Sequence, residues 1–96
     1  MAEIKRVYIS GPMTGISEYN FPAFFKAEKL LKEYGYIPLN PARSPKGLEY
    51  KHYMDIAFAM IRSSQEIYTL DGWEKSNGAI AEVAYANAIS VGRFSW

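Results

Sequence analysis

Along this chain, short runs of β-branched and aromatic residues alternate with longer stretches in which apolar side chains return every third or fourth position. The first run, residues 4–9 (IKRVYI), predicts a buried strand. It breaks into a turn at residues 10–15 (SGPMTG). Asn20 then stands where a helix N-cap is expected, with Pro22 tolerated in the first turn. Phe21, Phe24, Ala27, Leu31 and Tyr34 recur at helical spacing, with Lys26, Lys29, Lys32 and Glu33 between them, and Gly35 supplies the stop. A brief strand fits Ile37–Leu39, followed by a proline-punctuated loop that continues neither kind of regular structure. A second helix fits Tyr50–Arg62, with Met54, Ala57, Phe58 and Ile61 on one face. Residues 66–70 (EIYTL) read as another strand, residues 71–78 (DGWEKSNG) as a second polar loop, and residues 79–88 as an alanine-rich helix capped by Ser76 or Asn77. Residues 90–96 add a last short strand.

Strands alternating with helices predict a parallel sheet of four or five strands, because parallel neighbours need crossover connections. The expected architecture is a single three-layer α/β Rossmann-like domain over residues 1–96. In such sheets ligands sit beyond the carboxyl ends of the strands, and the loops at 10–15 and 71–77 both fall at that edge.

The chain is 96 residues long, with 49% hydrophobic and 22% charged residues, which suits one folded domain. A formal charge of +1 offers no reason to bind bulk nucleic acid or anionic membrane. With no cysteine and one histidine, His52, no disulfide framework, zinc ribbon or thiol nucleophile is available, so neither a metal nor a cofactor is expected. The N-terminus carries no apolar signal region and no stretch reaches membrane-spanning length, so a cytoplasmic protein is expected. A domain this small leaves sheet edges to cover, and self-association is expected.

The loops carry the candidate chemistry. Gly11 and Gly15 let backbone amides approach an anion or a sugar, and Ser10 and Thr14 add hydroxyls, although any strand-to-helix turn favours such residues. There is no Walker A lysine and no dinucleotide fingerprint. Trp73, flanked by Gly72 and Glu74, has no periodicity placing it in a core; it can stack on a nucleobase or pack over a helix end. Glu82 lies among small residues, where a carboxylate can attack an anomeric carbon or bind ribose hydroxyls, though solvent is the default for a helical glutamate. Arg43 and Lys46 can reach a phosphate, but solvated surface charge is the plainer reading, as it is for Asp55; His52 reads as surface or loop packing.

Taken together, YISGPMTG, NFPAFFKAEKLLKEYGYIPLNPA and DGWEKSNGAIAEVAYANA resemble, over nearly the whole chain, a family of small, often phage-encoded proteins of the nucleoside 2-deoxyribosyltransferase-like fold. That family includes Thoeris anti-defence sponges, which hold cyclic ADP-ribose isomers without cleaving them. The resemblance implies that Ser10, Gly11, Pro12, Met13 and Thr14 face phosphate and sugar. Trp73 with Phe21 or a tyrosine would then stack adenine, and Asn20 and Glu82 would meet ribose hydroxyls. Glu82 matches the transferases' glutamate nucleophile, in a setting that reads Glu82, Val83, Ala84, Tyr85, Ala86. The transferases keep an acid six positions earlier, where this chain has Ser76, and they extend beyond the last strand.

Two functions follow. The first expectation is a non-catalytic, homotetrameric sponge in the host cytoplasm, binding a cyclic ADP-ribose-type immune signal or another cyclic nucleotide at a site built from Ser10–Thr14, Asn20, Phe21, Trp73, Ser76 and Glu82. The alternative is an enzyme acting on the N-glycosidic bond of a nucleoside or nucleotide, with Glu82 as nucleophile.

Overall fold

The computed structural model describes residues 4–95. Its elements follow the chain as β1 (Arg6–Ser10), α1 (Phe21–Glu33), β2 (Ile37–Leu39), α2 (Tyr50–Arg62), β3 (Glu66–Thr69), α3 (Asn77–Ala88) and β4 (Gly92–Phe94), with short 3-10 turns at Ser17–Asn20, Pro41–Arg43 and Trp73–Lys75. The four strands form one parallel sheet in the order β2-β1-β3-β4. Each connection crosses the sheet with a helix, as parallel pairing requires. The three-layer α/β fold with a short parallel sheet is therefore the one observed.

Period-two alternation in β1 divides the core. Val7 and Ile9 face α1 and join Phe24, Ala27, Leu31, Tyr68 and Leu70. Tyr8 faces the other way and joins Ala57 and Ile61 of α2, Ile67, and Ala86 of α3. Burying each large apolar side chain contributes about 1.5–3 kcal/mol. With Val7, Tyr8 and Ile9 all fully buried, β1 is the strand on which both layers rest.

The ends of the elements differ from the sequence pattern at three places. First, β1 runs through Ser10, which pairs with Thr69, so the first residue of the expected turn belongs to the sheet. Second, α3 starts at Asn77, two residues before the alanine run, because the expected Ser76 cap accepts the Ala79 N–H at 3.2 Å. Third, Asn20 is not a side-chain N-cap. Glu18, Tyr19 and Asn20 all have left-handed backbone (φ 56°, 53° and 62°), and the Asn20 amide instead donates to the Pro12 carbonyl at 2.9 Å. That bond ties the turn before α1 back to the loop after β1.

A second tie fixes the loop after β2. Glu28, buried on α1, accepts two hydrogen bonds from Arg43, from Nε and Nη2, both at 2.6 Å. The Arg43 guanidinium also lies 5.0 Å over the Phe25 ring. Asn40 caps the Pro41–Arg43 turn through the Ala42 N–H, and its amide reaches Glu28. Arg43 is exposed, as its sequence context suggests, and also clamps the loop to the helix. The pairing holds the Glu28 carboxyl below the usual glutamate range, against the opposing effect of burial.

Candidate functional site

The site forms where β1 ends beneath α3. Two features of sequence place it. Alternation puts Tyr8 and Ser10 on the same face of β1, and the Ser76 cap starts α3 so that Glu82, in its second turn, projects toward that face. The Ser10 hydroxyl donates to Glu82 Oε1 at 2.6 Å. Ser10 is fully buried, whereas Glu82 retains partial exposure and is reachable from outside.

Burial pushes the Glu82 carboxyl up to about 7, and the hydroxyls of Ser10 and, after it, Tyr8 restrain the rise. The Tyr8 phenol is itself fully buried, and its hydroxyl makes no hydrogen bond of acceptable geometry among the described residues. Burial first, and the nearby Glu82 charge second, raise its own pKa well above the usual tyrosine range, so it stays protonated beside the carboxylate. Tyr8 was not among the residues singled out from sequence. The signal was present in its position two residues before Ser10, on the same face of one strand.

The surrounding loops are close-fitted. A Cβ on Gly11 would stand 2.7 Å from Leu70 Cβ, so only glycine lets the chain leave β1 alongside the end of β3. The Leu70 N–H donates to the Ser10 carbonyl at 2.8 Å across the same junction. Pro12 is buried, Met13 packs against the α1-side core, and Thr14 is exposed at the rim. A Cβ on Gly72 would stand 3.6 Å from the Pro12 ring, so the loops after β1 and β3 touch.

The other expected site residues have contacts of their own. Phe21 makes ring contacts with Tyr19 at 6.1 Å and Phe25 at 6.3 Å. Trp73 lies under the Arg93 guanidinium at 5.1 Å and lines a groove of about 460 Å³ along α3 and β4 with Ile80, Val83 and Asn87. That groove includes neither Ser10 nor Glu82. Asn20 and Asp71 line a separate cavity of about 270 Å³ between α1 and β3, with Lys26, Tyr68 and Thr69. Ser76, six residues before Glu82, is engaged in capping. His52 sits in the first turn of α2, where its Nδ1 accepts the Glu49 N–H at 3.4 Å. Among the described residues no group of three or more His, Cys, Asp or Glu is placed to hold a metal ion, and no helix is long and apolar enough to cross a membrane.

A family model described as a domain of unknown function, DUF4406, matches residues 5–92. The chain belongs to the DUF4406 family. No curated protein matches it by sequence. Among solved structures, this DUF4406 chain is similar to a 2-desoxiribosyltransferase from Leishmania mexicana, with 21% identity and a TM-score of 0.76. The match covers 96% of this chain and 63% of that one, so the chain spans under two thirds of its relative's length. At that identity the likeness establishes the fold, which is 2-deoxyribosyltransferase-like.

These findings correct the first functional expectation. The expectation of a non-catalytic, tetrameric anti-defence sponge for a cyclic ADP-ribose-type signal is overturned by the likeness to a transferase's fold. The geometry runs the same way. The carboxylate that sequestration would leave idle is buried and pinned by a hydroxyl, while the aromatic pair meant to enclose a base is divided between Phe21 at the start of α1 and Trp73 beside β4.

Proposed function

We propose that this DUF4406 chain acts on the N-glycosidic bond of a nucleoside or nucleotide, with Glu82 as the nucleophile. The observation that carries the reading is the Glu82 carboxyl itself. It is largely buried, raised to about 7, and hydrogen-bonded by Ser10 at the carboxyl end of a central parallel strand. The transferase fold of the Leishmania mexicana relative supports it.

In the first step an oxygen of ionised Glu82 bonds to the anomeric carbon as the bond to the base nitrogen breaks. The departing base keeps the bonding pair and takes a proton from solvent. In the second step a water molecule, or a nitrogen of a second base, attacks the same carbon, releases the carboxylate and gives its proton to solvent. Displacement twice at one carbon retains its configuration. Burial serves both steps, because a weakly solvated carboxylate is more reactive and a developing oxocarbenium ion brings the countercharge that the pocket lacks. Gly11, Pro12, Met13 and Thr14 form the nearest wall for sugar or phosphate oxygens, and Asn20 holds that wall through Pro12.

The test is incubation with a panel of nucleosides, 2′-deoxynucleosides and their 5′-monophosphates, with and without an acceptor base, followed by chromatographic measurement of released or exchanged base. Turnover that vanishes in Glu82→Gln while the substrate still binds is the expected result. Absence of turnover across the panel, or full activity in Glu82→Gln, overturns the reading.

A further inference from the structure

The side chain of a glutamate ends in a torsion with broad, soft preferences, so an unpinned carboxylate turns freely about its last bond. A nucleophile needs one oxygen held on line with the carbon it attacks. In this fold a short bond from Ser10 does most of the pinning, with the Tyr8 hydroxyl beside it. Ser10 is fully buried, is the last residue of β1, and is fixed on both sides, by pairing with Thr69 and by the Leu70 N–H on its carbonyl. Its only hydroxyl proton goes to Glu82 Oε1. The bond spans 72 residues of sequence, joining the first strand to the third helix.

We propose that Ser10 is the positioning residue of Glu82, occupying Oε1 so that the carboxylate plane is fixed and Oε2 is left as the attacking oxygen. This deepens the glycosidic-bond reading and rests on it for its kinetic consequences. The other group that acts on the carboxyl is Tyr8, from the same strand, while on the α2 side α3 meets two ends, the Met54 sulfur and the Tyr50 hydroxyl. The latter would lie 3.4 Å from a Cβ on Gly78, one turn before Glu82 on α3. None of these makes a hydrogen bond to Glu82 of the kind Ser10 makes, and among the described residues no cation pairs with the carboxylate.

Ser10→Ala removes the donor with little change of volume, and Ser10→Thr restores a hydroxyl on the same Cβ. Two readouts separate this proposal from the reading it builds on. The first needs no substrate: titration of the Glu82 side-chain carboxyl by 13C NMR in each variant. Ser10→Ala is expected to move the midpoint up by about one pH unit, and Ser10→Thr to bring it back. The second is kinetic: kcat at neutral pH is expected to fall roughly ten- to a hundredfold in Ser10→Ala with KM nearly unchanged, and the rising limb of the pH profile to follow the NMR midpoint. An unmoved NMR midpoint in folded Ser10→Ala overturns the assignment, as does an equal loss in Ser10→Thr and Ser10→Ala. If neither variant folds, the hydroxyl is a structural pin and the assignment fails too. Should wild type turn over no nucleoside while the midpoint shifts as expected, the glycosidic reading fails and the positioning role stands.

Discussion

Glu82→Gln should make the protein more stable at alkaline pH and leave it nearly unchanged in acid. In the fold the carboxyl titrates near 7 because burial disfavours its charge, whereas in the unfolded chain it returns to the ordinary value of 4.5. Between those two values the folded state holds a proton that the unfolded state has released, so stability falls as pH rises through the window and the full loss is present above about 7. A shift of some 2.5 units at 1.36 kcal/mol per unit amounts to about 3 kcal/mol. The amide keeps the shape and an acceptor for Ser10 but never ionises, so the variant escapes that loss. Urea unfolding at intervals from pH 5 to 8.5 checks this directly. With a slope of about 1.5 kcal/mol per molar, the midpoint difference should grow from about 0.5 M at pH 5 to roughly 2 M at the alkaline end of the series. A difference that stays flat with pH would refute the account of Glu82 as a buried carboxylate whose hydrogen bonds only partly offset its burial.

Other regions make their own predictions. Glu28→Ala should destabilise the protein by about 1–2 kcal/mol at pH 7 by freeing Arg43 and Asn40. Because the Glu28 carboxyl sits below its ordinary 4.5, that difference should persist above this value and fade as pH falls through the folded value, as read by thermal melts at pH 3 to 7. Gly11→Ala should cost about 1–3 kcal/mol, since its Cβ meets Leu70 at 2.7 Å, and should disturb the Ser10 junction, visible as a shift of the Glu82 carboxyl signal. Glu18→Gly should stabilise by up to about 1 kcal/mol, because an exposed residue held at φ 56° gives way to one that adopts it freely; a loss of stability on chemical denaturation would contradict the strain.

Where local chemistry dictates the outcome, the sequence could be read closely. The α2 pattern of Met54, Ala57, Phe58 and Ile61 gives Tyr50–Arg62 to the residue, and Ile37–Leu39 stands between a helix stop and a proline loop. The site was legible in part, since Ser10 and Glu82 were both named. Their hydrogen bond was not, because no local rule joins residues 72 apart. Ser10 looked like the start of a turn because its hydroxyl suggests solvent, yet it belongs to a strand with a carboxylate above it. Tyr8 reads as strand packing, which it is, but its polar end matters as much as its ring. The left-handed run at Glu18, Tyr19 and Asn20 contains no glycine to announce it. Arg43 seemed free because Glu28 lies on another element, and Trp73 could be marked as unusual without any sign that Arg93 would cover it.

The strand order has a further consequence for how the molecule assembles. β1 is made first but sits inside the sheet, with β2 on one side and β3 on the other, so its second edge waits for residues 66–69. Glu82 and its cap come later still. During synthesis the most buried strand of the fold is therefore exposed along one side for over half the chain, the interval in which edge-to-edge association with other nascent chains competes with folding. The Ser10–Glu82 pair can form only once α3 has been made and packed. Partly folded forms that have already built the α1 layer on β1 and β2 should thus lack that hydrogen bond, and its recovery on refolding should report the closing of the last layer rather than the first collapse.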